Sequence, residues 1–221
     1  MKLSGKSRMY VGSIELARDL LMNTPLPPDG RYIKDLPVVK RLTRLELKTP
    51  VTFFCGENGA GKSTLIEAIA VACGFNPEGG SRNMDFSTRQ SVSPLAAFLH
   101  ISHGLKRPKD GYFLRAESFY NVATEIETLD AEPAAAPKLI ESYGGVSLHE
   151  MSHGESFFAL MKNRFFGKGL YILDEPEAAL SPSRVMAMLI IIDELVRDES
   201  QFIISTHSPI LLSCRDSTVF E

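Results

Sequence analysis

The chain has 221 residues, 44% of them hydrophobic, which suits one large core rather than a small stapled scaffold. A formal net charge of −3 lacks the global basic footprint of a nucleic-acid binder, and the local run Lys106-Arg107-Pro108-Lys109 reads as a solvated loop. The three cysteines, Cys55, Cys73 and Cys214, are far apart in apolar settings, which excludes a disulfide framework and suits a reducing, cytoplasmic environment.

The basic N-terminus has no continuous apolar stretch, so no signal peptide is expected. The longest apolar run, Val185 to Ile192, is too short to span a bilayer, so no membrane insertion is expected. Met9 to Leu16 reads as a strand, Asn23 to Gly30 as a Pro- and Gly-bearing loop, and Leu42 to Leu47 as an alternating strand. Val51 to Cys55 is apolar and leads into a Gly-rich stretch; Thr64 to Cys73 is helix-like. Gly74 to Pro94 reads as a long surface loop, and Phe98 to Leu105 as a short helix carrying His100 and His103. Gly111 to Leu114 is strand-like, Glu117 to Leu129 helix-like, and Asp130 to Pro137 resembles a linker. Gly154 to Phe165 forms a helix with an apolar side, Leu170 to Leu173 a buried strand, and Pro182 to Arg197 a helix with Ser181 as its cap. Phe202 to Ser205 is a second buried strand, and Thr218 to Phe220 starts a last one. Strands alternating with helices predict a mainly parallel sheet flanked by helices, with ligands at the carboxyl ends of its strands.

Gly56, Glu57, Asn58, Gly59, Ala60, Gly61, Lys62 and Ser63 fit the phosphate-binding pattern G-x-x-x-x-G-K-[ST] between a strand and a helix. The glycines permit a tight turn whose N–H groups point inward at phosphate oxygens, and the helix behind adds its positive end. Lys62 is expected to reach the outer phosphates of a bound ligand and Ser63 to hold Mg²⁺. Asp174 and Glu175 follow four apolar residues; two carboxylates ending a buried strand are costly without a cation or proton. Asp174 suits the Mg²⁺ shell, Glu175 the polarisation of an attacking water. His207, after the Phe202 strand, could contact the γ-phosphate or that water. Ser152 and Glu155 fit a capping box at a helix start; the functional alternative aims that helix, through Ser152 and the Gly154 N–H, at a phosphate. His149-Glu150-Met151-Ser152-His153 also fits the zinc-protease pattern H-E-x-x-H. That chemistry needs both histidines on one continuous helix, whereas the surrounding glycines and serines predict a loop entering a helix at Gly154.

These pieces, in this order, resemble the ATP-binding cassette (ABC) ATPases. Gly56 to Thr64 is similar to their Walker A motif, Met151 to Glu155 to their signature, and Leu170 to Glu175 to Walker B with the catalytic glutamate. Ala179 to Pro182 is similar to the D-loop, and His207 to the switch histidine. Asp174-Glu-Pro-Glu-Ala-Ala-Leu-Ser-Pro and Ser205-Thr-His-Ser-Pro resemble the RecF, SMC and OLD side of that superfamily, especially its small stand-alone ATPases. The resemblance implies a P-loop α/β fold with an antiparallel N-terminal β part and an inserted helical signature subdomain. One ATPase domain over 1–221 is expected, its core about 1–75 and 167–221 and its insertion about 76–166.

The resemblance further implies Mg-dependent ATP hydrolysis by a head-to-tail homodimer. Glu175, His207 and Lys62 would be the catalytic groups, and each signature (Ser152, Gly154, Glu155) would face the ATP held by the other subunit. His153, which replaces a signature glycine, would be a donor near that phosphate. Where the family places a glutamine, this chain has Leu114-Arg115-Ala116-Glu117, which makes Glu117 the candidate metal or water contact and Gln90 a weaker one. Tyr32 is the candidate adenine-stacking aromatic. The implied role is an ATP-gated switch in a DNA-associated or defence-type process, with a DNA or protein partner. Alternatives are the ATP-binding subunit of a membrane transporter and a non-hydrolysing dimerisation module.

Overall fold

The computed structural model describes residues 9–82, 93–116, 119–131 and 138–221. In chain order these form β1 (Val11–Leu16), α1 (Arg18–Asn23), α2 (Pro37–Arg41), β2 (Arg44–Glu46), β3 (Val51–Phe54) and α3 (Lys62–Ala72). Next come β4 (Gly80–Ser81), β5 (Leu99–His103), β6 (Asp110–Arg115), α4 (Phe119–Ala131) and α5 (His153–Arg164). The chain continues with β7 (Gly169–Asp174), α6 (Pro182–Arg197), β8 (Gln201–Ser205), α7 (Pro209–Leu212) and β9 (Ser217–Phe220).

Two sheets result. The larger runs β4-β6-β7-β8-β3-β9 and is parallel apart from the β4–β6 pair; the smaller, β2-β1-β5, is antiparallel. This is the mainly parallel α/β architecture expected from the alternating pattern, with the antiparallel part that the family resemblance implied. The central strands are buried on both faces. In β7, Leu170 and Ile172 enter one core while Tyr171 and Leu173 enter the other; in β8, Ile203 and the pair Phe202 and Ile204 divide the same way. That is why they read as unbroken apolar runs. The helix α3 lies between the sheets, against β5 on one side and β7 and β8 on the other. On the opposite face of the parallel sheet, α6 buries Val185, Met188 and Ile192, spaced for one helical face, each contributing about 1.5–3 kcal/mol. Burial pushes the Cys73 thiol to about 12, as expected of a reduced core residue.

Two expectations change. Phe98 to Leu105 is not a helix: Leu99–His103 is a strand paired antiparallel to β1, with Ile14 opposite Ile101. Its apolar residues alternate with His100 and Ser102, a period of two that the short segment half concealed. Within the range about 76–166 given to the insertion, β4, β5 and β6 belong to the sheets. The stretch before β2, read partly as loop, carries α1, a 3₁₀ turn over Pro28–Asp35 and α2. Glu117, Gln90, most of the expected linker before Pro137, and the side chain of His153 lie outside the described residues.

Candidate nucleotide site at the carboxyl ends of the strands

Between β3 and α3 the chain turns through Gly56, Gly59 and Gly61 with φ of 140°, 81° and 92°, values that favour glycine. Gly61 caps α3, so the first helical residues are Lys62 and Ser63. The Lys62 side chain is buried and folds back over the loop, Nζ donating to the carbonyls of Gly56 at 2.9 Å and Glu57 at 3.0 Å. From outside, α2 braces the loop: Val38 N–H donates to Ala60 O at 3.0 Å, and a Cβ on Gly61 would sit 2.8 Å from Val38 Cγ1. Beside the loop is a cavity of about 660 Å³ whose walls include Pro37, Val38, Leu42 and Phe220, with Arg41 and Lys62 also lining it. Tyr32, the expected adenine contact, is not among its lining residues and is half-exposed.

Asp174 ends β7 and is buried. Its Oδ1 accepts from Ser205 Oγ at 2.6 Å, and Oδ2 lies 3.6 Å from Arg115 Nε. Burial pushes its carboxyl above the ordinary value, against the bonds from Ser205 and Ser63 and the charge of Arg115. A buried carboxylate beside a serine hydroxyl is a hard-oxygen donor set that fits Mg²⁺. Glu175 takes the left-handed conformation, φ 48°, held by its N–H on Ser205 O at 3.2 Å and Ser205 Oγ at 3.0 Å. Its Oε1 lies 3.1 Å from His207 Nε2. Because β7, β8 and β3 are neighbours, Asp174, Glu175, His207 and the phosphate loop converge at one end of the sheet.

Sequence reading missed three supporting residues. Arg115 ends β6 in register with Asp174, and its Nη1 lies 2.6 Å from Glu67 Oε2 on α3. Glu67 is buried and its other oxygen accepts from Ser93 N–H at 3.0 Å, so the arginine is held from the helix that the phosphate loop starts. Glu177, just past Glu175, binds the loop after β8. A charge directly ending the apolar Gly111–Leu114 run was the available signal for Arg115.

The expected signature lies elsewhere. Ser152 precedes α5, and its hydroxyl and N–H both donate to Glu155 Oε2, at 2.6 and 3.1 Å. Those bonds hold the Glu155 carboxyl below its ordinary value. Glu155 Oε1 pairs with Arg184 on α6 at 3.4 Å. A Cβ on Gly154 would stand 2.5 Å from Ala179 O, so the start of α5 rests on the segment following Glu175. Among the described residues, the bonds of Ser152 and Glu155 thus stay at the start of α5 and reach Arg184, not their own chain's phosphate loop. The helix begins at His153, leaving His149 in the preceding turn, stacked on Tyr120 and 3.2 Å from Thr124 Oγ1. The two histidines of H-E-x-x-H therefore do not share a helix.

The family described as "AAA domain" matches residues 33–116, and that described as "AAA domain, putative AbiEii toxin, Type IV TA system" matches residues 140–213. The ribose import ATP-binding protein RbsA of Bacillus cereus is 24% identical over 77% of this chain and 37% of its own length. The cobalt import ATP-binding protein CbiO of Salmonella paratyphi A is 27% identical over 80% of this chain and 68% of its own. Among solved structures, the SMC head domain of Thermotoga maritima aligns over 94% of this chain and 93% of that one, with 16% identity and a TM-score of 0.47. The chain thus spans little more than a third of the ribose-import relative. In both halves, then, the chain is similar to ATP-binding domains, and the curated relatives it matches are ATP-binding proteins of import systems.

Proposed function

We propose that this chain binds Mg-ATP and hydrolyses it as a soluble, cytoplasmic ABC-type ATPase working as a head-to-tail homodimer. The supporting observation is the meeting of Lys62, Ser63, Asp174, Glu175 and His207 at the carboxyl ends of three neighbouring strands. Backbone N–H groups from Gly56 to Thr64 would bind the phosphates, and Lys62 would exchange its carbonyl partners for phosphate oxygens. Ser63 and Asp174 would hold the Mg²⁺, which supplies charge neutralisation on the phosphates; Glu117 is the third expected contact. Glu175, oriented by His207, accepts a proton from a water as that water's oxygen bonds the γ-phosphorus. The bond from that phosphorus to the bridging oxygen breaks, and ADP takes the electron pair. The cavity walled by Pro37, Val38 and Leu42 offers the base an apolar seat in place of Tyr32. Ser152, Gly154 and Glu155, turned away from their own loop, would complete the partner's site.

A role as an ATP-gated switch in a DNA-associated or defence-type process fits the Asp174-to-Pro182 stretch and the toxin-system family matched over 140–213. The import functions in the relatives' names support the second reading, an ATP-binding subunit of a transporter. No helix among the described residues is long and apolar enough to cross a membrane, so that role needs a membrane-spanning element other than these residues. Copurification with a multi-spanning protein would favour it; dimerisation promoted by ATP and DNA would favour the switch. The core claim is tested by titration calorimetry of Lys62→Ala, which is expected to remain folded and lose ATP binding. Normal affinity in that variant would remove the phosphate-loop assignment.

A further inference from the structure

The loop between β8 and α7 is tied to β3 only at its start, where Thr206 N–H donates to Phe54 O at 3.0 Å among the described residues, yet it must place the His207 ring against Glu175. Beyond Thr206, Glu177 holds its backbone. It lies in the 3₁₀ turn Pro176–Ala179, and its Oε1 accepts from Thr206 Oγ1 at 2.6 Å, His207 N–H at 2.6 Å and Ser208 N–H at 3.1 Å. The Thr206 hydroxyl, fully buried, in turn accepts from Ser208 N–H at 2.9 Å. The loops after β7 and β8 are therefore joined twice: by backbone through Glu177, and by side chains through Glu175 and His207. Glu177 Oε2 is buried and has no hydrogen-bond partner among the described residues. A solvated turn residue would not bear that cost.

We propose that Glu177 is a positioning residue: it fixes the backbone of His207, and through it the His207–Glu175 pair, setting turnover without contributing to nucleotide binding. This rests on the reading that Glu175 and His207 serve ATP hydrolysis. The competing explanation is a plain structural brace for the start of α7, which would alter stability and leave catalysis and binding to fall together or not at all.

The test uses the full chain with Glu177→Ala, Glu177→Gln, His207→Ala and the Glu177→Ala/His207→Ala double variant. In Glu177→Ala, ATP affinity should stay within about twofold while kcat falls roughly tenfold or more. Glu177→Gln keeps an acceptor oxygen and should recover most of the loss. Because Glu177 acts through His207, the double variant should be no slower than His207→Ala alone. Hydrogen exchange at the His207 and Ser208 amides should accelerate in Glu177→Ala, but not in Glu177→Gln, with β8 unchanged. Should the alanine variant not fold, Glu177→Asp, which keeps the charge and shortens the reach, should show the same split. Unchanged kcat, unchanged exchange at His207, or losses that multiply in the double variant would each overturn the proposal. Wild-type protein that binds ATP without turnover would instead overturn the hydrolytic reading, and the exchange comparison would still decide whether Glu177 holds the loop.

Discussion

Glu175 occupies a left-handed backbone conformation that costs a non-glycine residue about 1–3 kcal/mol, and Ser205 sustains it from the neighbouring strand. The same Ser205 hydroxyl donates to Asp174, so one side chain sets both acidic residues. Glu175 held in this way has His207 Nε2 3.1 Å from its Oε1. Glu175→Gln should bind ATP normally and turn it over roughly a hundredfold more slowly or worse, as for a lost general base. Phosphate release measured beside binding calorimetry checks this, and an unchanged rate would take Glu175 out of the catalytic role.

At the scale of elements, two junctions carry sharp expectations. The start of α5 meets the turn after Glu175 so closely that Gly154 has no room for a methyl group against Ala179 O, an atom that cannot swing aside. Gly154→Ala should therefore cost about 1–3 kcal/mol of stability in denaturant titrations. A neutral result would mean that α5 can shift on its neighbour. The second junction joins β6, α5 and β7 through Asp110, which accepts from Arg164 at 2.8 Å, Phe166 N–H at 3.1 Å and Tyr171 OH at 2.8 Å. Burial pushes the Asp110 carboxyl up, but the bonds from Arg164, Phe166 and Tyr171 outweigh it and leave its pKa below the ordinary value. A depressed folded-state pKa stabilises the fold above the unfolded value near 4, and that contribution disappears as pH falls through the folded value. Asp110→Asn should lower the melting temperature near neutral pH, and its gap to wild type should close as pH drops below about 4. A gap independent of pH would show that Asp110 acts through packing alone.

For the whole molecule, the proposed head-to-tail dimer would hold two composite sites, each pairing one chain's phosphate loop with the other chain's α5 start. Lys62→Ala and Ser152→Arg should each be inactive alone. Mixed, they form about half heterodimers, each with one intact site, so activity should return to roughly a quarter of wild type if the sites fire independently. Light scattering on the same samples reports ATP-dependent dimerisation, since coupled sites would lower the recovered activity. No recovery of either activity or dimerisation would favour a site completed within one chain.

Local chemistry was legible from the residues alone. Gly56 to Ser63 carries its own geometry, because the glycine conformations and helix start are consequences of neighbouring residues. The doubly buried strands β7 and β8 announced themselves as apolar runs ending in polar residues, and Ser181-Pro182 marked the start of α6. Non-local pairing was not legible. Leu99–His103 is a strand because β1 lies beside it, and a five-residue segment carries too little periodicity to declare that. Arg115 meets Asp174 and Glu67 only once β6, β7 and α3 are assembled, and Glu177 meets His207 across thirty positions of chain. The sequence by itself determined which residues form the glycine turn before α3 and which end the buried strands. Tertiary structure decided which charges hold them in place, because a buried carboxylate finds its donors by packing and not by spacing.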